Sequence, residues 1–117
     1  MCNYFLYIMK IYYIYYNILT EVCFFMEKLL IEIKNKQGLH LRPATLIFKT
    51  LNSYDSKLWI GETDNMEEML EVKRVFDLLD LAAGFGTKLF LITEGEDEIL
   101  LLNDLRKLIE VEKFGEG

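Results

Sequence analysis

The residues best equipped for chemistry stand together in Gly38-Leu39-His40-Leu41-Arg42-Pro43-Ala44. His40 is the only histidine of the chain. Histidine titrates near neutrality, so its ring can offer an uncharged, nucleophilic nitrogen at pH 7. Arg42 presents a planar fork of N–H donors that matches phosphate oxygens. Pro43 lacks an N–H and holds a near-helical φ, so it marks the first turn of a helix. Ala44, Ile47, Phe48 and Leu51 then fall at i, i+3, i+4 and i+7, the stripe of one helix face. His40 therefore sits just ahead of a helix N-terminus, where N–H groups lack intrahelical partners and the dipole favours negative charge. A histidine, an arginine and open N–H groups at one point suit an anion. The chemistry this points to is a phosphoryl group carried on His40.

The rest of the chain narrows that chemistry. No second histidine exists, and no Asp or Glu lies in residues 34–54. Glu32 and Asp55 fall outside that window, so the sequence offers His40 no carboxylate or cysteine for a nucleophilic triad. No GxxxxGK[ST] loop is present, so ATP binding is not expected. The window does hold Lys34, Lys36, Arg42 and Lys49, in a chain whose formal charge is −6. A basic window on an acidic protein suits an anion or an acidic partner. The overall charge argues against a nucleic-acid binder. Cys2 and Cys23 have neither CxxC spacing nor a histidine partner, so no metal site is expected, and a reducing, cytoplasmic setting fits best. The pattern describes a carrier without a cofactor, charged and discharged by other proteins, and not an enzyme.

Hydropathy supplies the elements that position the motif. Leu29, Ile31 and Ile33 alternate with Lys28, Leu30, Glu32 and Lys34 as a strand does. Asn35 to Gly38 turn the chain, and Gly38 permits close backbone approach. The helix predicted over residues 41–51 is broken by Asn52-Ser53-Tyr54-Asp55. Lys57-Leu58-Trp59-Ile60 reads as a second strand, and residues 61–65 as a polar loop. Residues 66–71 favour helix by composition yet fit a short third strand. Val72, Val75, Phe76 and Leu79 predict a second amphipathic helix. Ala82-Ala83-Gly84-Phe85-Gly86 should end it, with glycines at the C-cap and turn. Residues 87–93 read as a strand with Leu89 and Leu91 on one face. Glu96-Asp97-Glu98 place carboxylates where the dipole of a last helix favours them. Leu101, Leu105, Leu108 and Ile109 stripe that helix, and residues 114–117 are expected to fray. An α+β domain with one sheet and its helices on one face is the economical solution.

Residues 1–25 differ in kind. Residues 4–19 are almost all Tyr, Ile, Phe, Leu and Met, interrupted by Lys10 and Asn17. The run is short for a membrane span, and a lysine within it is costly there. It lacks the layout of a secretory signal. Two readings stay open: upstream sequence read through from an over-early start, or a membrane-associating extension. Residues 26–117 form the patterned domain.

The motif resembles the active-site signature of HPr, the histidine-containing phosphocarrier family of the bacterial phosphoenolpyruvate-dependent sugar phosphotransferase system. The resemblance runs from Met26 to about Lys113. It includes Lys73 at the start of the second helix, Gly86-Thr87 before the last strand, and Glu94-Gly95-Glu96-Asp97-Glu98 before the last helix. It implies an HPr-like open-faced β-sandwich, a four-stranded antiparallel sheet with three helices on one face. It implies that His40 takes a phosphoryl group on Nδ1 from enzyme I and passes it to enzyme IIA components for sugar uptake. Arg42 would bind the phosphate and Pro43 shape the helix start. Val75, Phe76 and Leu79, with Lys49, would meet partners. The alternative is an HPr-like regulatory or binding module whose phosphorylation state signals to a partner. Arg74 stands where Gram-positive members carry a regulatory serine, and Ala82-Ala83 stands where a glycine is usual. Leu41 is bulkier than is usual after the histidine, and Asp77 adds an acid to the second helix.

Overall fold

Period-two alternation decides which side of each strand is buried. A computed structural model of the chain describes residues 27–116. The extension at residues 1–25, with Cys2 and Cys23, lies outside them. Strand β1 (Glu27–Glu32) leads to helix α1 (Leu41–Asn52) and strand β2 (Lys57–Gly61). A 3₁₀ turn (Met66–Glu68) precedes the two-residue strand β3 (Leu70–Glu71) and the short helix α2 (Val75–Leu79). Strand β4 (Lys88–Glu94) and helix α3 (Glu98–Arg106) follow. The strands form one antiparallel sheet in the order β1-β4-β2-β3. Its register sets Ile31 opposite Leu89, Leu29 opposite Leu91, and Leu91 opposite Ile60.

That inner face and the three helices share one core. It is built from Ile31, Ile33, Leu58, Ile60, Leu89 and Leu91 of the sheet side and Ala44, Ile47, Leu51, Leu101 and Leu105 of α1 and α3. This is the anticipated α+β architecture, an open-faced sandwich. Among the described residues no helix is long and apolar enough to cross a membrane.

Four local expectations are corrected or decided by the structure. The first concerns α2. Asp77 Oδ2 accepts the N–H groups of both Lys73 and Arg74 at 2.9 Å, so the helix starts at Val75 and cannot extend back to Val72. Val72 is buried beside the sheet instead, its N–H donating to the Leu58 carbonyl at 2.8 Å. The shifted phase sends Leu78 into the core at 0% exposure and leaves Phe76 65% exposed. Secondly, residues 66–71 resolve into a turn and a strand because the Asn65 side chain accepts the Glu67 N–H at 3.1 Å.

Thirdly, no glycine ends α2. Ala82 takes the left-handed conformation there, at φ +51°, and residues 82–84 run on to the site. The fourth correction concerns the C-terminus, which does not fray. The chain leaves α3 through a π-helical turn (Lys107–Val111) and a 3₁₀ turn (Lys113–Gly115). Lys113, Phe114 and Gly115 have φ of +50°, +58° and +73°. Left-handed backbone costs a non-glycine residue about 1–2 kcal/mol. Phe114 is 1% exposed, and burying a phenylalanine returns about 1.5–3 kcal/mol. The anchored ring is therefore enough to offset most of the strain of the reversal.

The phase of α2 is testable. Leu78→Ala is expected to cost about 2–5 kcal/mol in urea unfolding, the range for a buried leucine. Phe76→Ala is expected to stay within about 0.5 kcal/mol of the unaltered chain. A larger loss at Phe76 than at Leu78 would contradict this packing.

Candidate functional site

The site begins where β1 gives way to a turn. Gly38 N–H donates to the Asn35 carbonyl at 3.1 Å, and Asn35 Nδ2 donates to the Gly38 carbonyl at 2.7 Å. Gly38 lies at φ +73°, and a Cβ there would come within 2.7 Å of the Ala83 oxygen and 2.8 Å of Gly84 Cα. Only glycine serves both demands. Leu39 N–H then donates to the Ala83 carbonyl at 2.8 Å. The strained segment after α2 is thus stitched to the residue before His40.

His40 is the N-cap of α1, with extended backbone and a carbonyl that accepts the Ala44 N–H at 3.0 Å. No side chain caps α1, and its first turn holds no acid. Pro43 is buried in that turn as predicted. The positive end of the helix is therefore open to an anion beside the imidazole.

The sequence offered His40 no carboxylate; the fold supplies one from the far end of the chain. Glu116 Oε2 lies 2.9 Å and Oε1 3.2 Å from His40 Nε2. Asn35 Nδ2 donates to Glu116 Oε1 at 2.9 Å. Arg42 Nη1 donates to Glu116 Oε2 at 3.3 Å and to the Phe114 carbonyl at 2.7 Å. These donors hold the Glu116 carboxyl below its ordinary range, Asn35 first, then His40 and Arg42, against a desolvation that acts the other way. The contact is missed by local reading because it spans 76 positions. Phe114-Gly115 is the one signal in the sequence, since a large apolar residue before a glycine is poor composition for a loose end.

The geometry selects between the ring nitrogens. An ionised carboxylate only accepts, so the atom facing it is Nε2–H. In the neutral imidazole Nδ1 then carries the lone pair, and it makes no hydrogen bond among the described residues. Lys36, Gln37, Arg42 and Glu116 line the cleft alongside. Among the described residues no group of His, Cys, Asp and Glu is arranged to hold a metal.

The other predicted residues distribute around this centre. α2 packs on α1 and carries Val75 and Leu79, both half-buried, with exposed Phe76. Leu41 and Phe85 are exposed apolar residues as well; Phe85 escaped the sequence reading. Lys49 is exposed in the last turn of α1. At 1.5 Å per residue that is roughly 13 Å along the helix from His40, so it does not join the cluster. Asp77 is committed to capping, its carboxyl held low by the Lys73 backbone N–H first and then by Arg74.

Comparison with known proteins gives a consistent result. The family model for the PTS HPr component phosphorylation site matches residues 28–111. The phosphocarrier protein HPr of Pseudomonas aeruginosa is 40% identical over 92 residues, spanning 79% of this chain and 99% of that protein. The crystal structure of an HPr from Thermoanaerobacter tengcongensis superposes with a TM-score of 0.69 at 37% identity, covering 78% of this chain and 98% of that one. Crh of Bacillus subtilis, described as a catabolite repression protein, gives a TM-score of 0.56 at 32% identity over 70% of this chain and 91% of that one.

Because Glu116 titrates lower in the folded chain than in the unfolded one, its stabilisation is present above the ordinary value of 4.5 and is lost as pH falls through the lower folded value. The stability difference between the unaltered chain and Glu116→Gln is therefore expected to be present at pH 7 and to close in acid below pH 4.5. Urea unfolding across that range measures it. A difference that stays constant down to full protonation would show that the carboxylate charge plays no part.

Proposed function

The chain belongs to the HPr family of phosphocarriers, and on that premise we propose that it relays a phosphoryl group through His40 Nδ1. Enzyme I supplies the group and enzyme IIA components receive it. One observation carries the reading: the carboxylate of Glu116 engages Nε2 and leaves Nδ1 open at the start of α1, beside Arg42.

In the forward step the Nδ1 lone pair attacks phosphorus and the donor's bond to phosphorus breaks. The proton on Nε2 stays where it is, hydrogen-bonded to Glu116. The imidazolium character that develops in the ring is stabilised by that carboxylate. The incoming phosphoryl oxygens meet the open N–H groups at the start of α1 and the Arg42 guanidinium, which can exchange the Phe114 carbonyl for a phosphate oxygen. No triad is needed, because the reaction partner brings the activated group. Phosphate and Glu116 repel each other, so the phosphorylated state is poised to give the group away.

The exposed apolar residues Phe76, Leu41 and Phe85 offer partners a dry surface, with Val75 and Leu79 supporting it, and exposed Lys49 further along α1 adds a positive charge for acidic partners. This assignment rests on their exposure and on the packing of α2 against α1. Residues 26–117 constitute the carrier domain, and the lack of a membrane-crossing helix among the described residues fits a carrier that moves between partners. The likeness to Crh favours a second reading, a regulatory module that reports its phosphorylation state. The intact His40-x-Arg42-Pro43 constellation weights the carrier.

Incubation with enzyme I and labelled phosphoenolpyruvate is expected to give acid-labile label that vanishes in His40→Ala. Arg42→Glu is expected to slow transfer by about 10–100-fold, the scale of one lost hydrogen bond to a charged group, while circular dichroism stays unchanged. No label from a competent enzyme I would overturn the carrier reading. Label passed on to no enzyme IIA component would favour the regulatory one.

A further inference from the structure

One polar side chain at the site lies beyond the reach of any partner. Asn35 follows β1 and is 0% exposed, whereas the side chains of His40, Glu116 and Arg42 are 36%, 20% and 57% exposed. The backbone around it is fixed. Ile33 N–H donates to the Thr87 carbonyl at 2.9 Å, and Gly86 N–H donates to the Ile33 carbonyl at 2.8 Å. The Asn35 side chain engages both of its amide hydrogens. Nδ2 donates to the Gly38 carbonyl at 2.7 Å and to Glu116 Oε1 at 2.9 Å. A carbonyl and a carboxylate only accept, so the amide has one workable orientation; turned over, Oδ1 would face two acceptors. In that orientation Oδ1 is buried and makes no hydrogen bond among the described residues. Leaving a buried acceptor unpaired is costly. The amide is therefore oriented for its two donors even though its oxygen goes unsatisfied.

We infer that Asn35 is a positioning residue of the relay: from the buried side of the site it holds the Glu116 carboxylate against His40 Nε2 while Arg42 changes partners. The inference rests on the proposed relay through His40. In that relay Arg42 turns toward the phosphoryl oxygens, and its contact with Glu116, at 3.3 Å, is already the longer of its two. Glu116 then keeps the donors of His40 and Asn35. The arriving phosphoryl group repels the carboxylate at the same moment. Water competes for the exposed guanidinium but not for the buried amide, whose hydrogen bond is the stronger for its dry setting. Asn35 is thus the donor that stays in place through the transfer.

The residue type follows from the two acceptors it bridges. A serine supplies one hydrogen on a shorter stem, and an aspartate would set a second carboxylate against Glu116 and the Gly38 carbonyl. A primary amide on a short side chain supplies both hydrogens. It also couples the turn to the strap, since one nitrogen joins Gly38, two residues before His40, to the carboxylate beside its ring. The competing role for Asn35 is a brace for that turn through Gly38 alone, and the two roles give different readouts.

Glu116 is faced by His40 and Arg42 of α1, by Asn35, and by Lys36 across the cleft. Removing a donor from a carboxylate raises its titration. In Asn35→Ala the ¹³C titration of the Glu116 carboxyl is therefore expected to move up toward 4.5. Transfer from enzyme I at saturating carrier is expected to fall about 10-fold, the scale of one lost hydrogen bond to a charged group. KM for the carrier is expected to hold, because no partner touches Asn35. In a Glu116→Ala background, Asn35→Ala is expected to slow transfer by less than about twofold, the scatter of additive changes. In the unaltered chain an Asn35 Nδ2 proton signal is expected to shift as Glu116 protonates below pH 4.5; this measurement stands even if Asn35→Ala does not fold. A turn brace gives an unmoved Glu116 titration and equal slowing in both backgrounds, and either result overturns the inference. An Asn35 amide signal indifferent to Glu116 overturns it as well. A chain that takes no label from a competent enzyme I overturns the relay itself, whereas the Glu116 titration, which needs no enzyme I, decides the hold of Asn35 separately.

Discussion

The hydrogen bond between Glu116 and His40 Nε2 is the constraint on which the site depends. In the proposed relay it makes one imidazole nitrogen a donor and frees the other as a nucleophile. It is a contact between the two ends of the domain, and each end is fixed by separate means. On the histidine side, Gly38 packs against Ala83 and Gly84 so closely that a Cβ would not fit, and the Leu39 N–H is tied to the Ala83 carbonyl. On the glutamate side, Phe114 sits in the core and pulls the chain back over the N-terminus of α1. Arg42 bridges the two ends through the Phe114 carbonyl and the Glu116 carboxylate. The charged groups themselves are substantially exposed, so solvent screens them and their direct worth to stability is small. Packing holds the geometry, and electrostatics sets the chemistry within it.

The molecule separates these tasks by location. The inner sheet face and the three helices make a dry core, which fixes where the end of β1, the start of α1 and the end of α3 converge. Strained backbone collects at that convergence, at Ala82, Lys113 and Phe114. Strain of this kind persists where surrounding contacts over-determine it, as the Phe114 ring and the Leu39–Ala83 hydrogen bond do.

Much of this was legible from local pattern. Strand alternation identified Leu29, Ile31, Leu58, Ile60, Leu89 and Leu91 as one face, because each strand senses burial at period two. The helix from residue 41 and the place of His40, Arg42 and Pro43 at its start were legible because proline, helix stripe and histidine are neighbours in sequence. The HPr resemblance of the motif agrees with the family match over residues 28–111. What escaped was set by contacts at a distance. The stripe Val72, Val75, Phe76 and Leu79 has helical spacing, but the Asp77 cap starts the helix three residues later and Leu78 takes the core. A left-handed alanine replaced the expected glycine after α2, since its neighbours bind the site loop. Glu116 was invisible to any window around His40, because its position follows from a π turn and a buried ring at the other end of the chain.

The central claim is that Glu116 retains the proton on Nε2 while Nδ1 accepts the phosphoryl group. With a single histidine, the ¹⁵N-histidine-labelled protein gives one pair of ring signals, and these can be followed before and after phosphorylation by enzyme I. The account predicts that phosphorus coupling appears on Nδ1 while Nε2 keeps its proton. Phosphorus coupling on Nε2, with Nδ1 protonated, would contradict it.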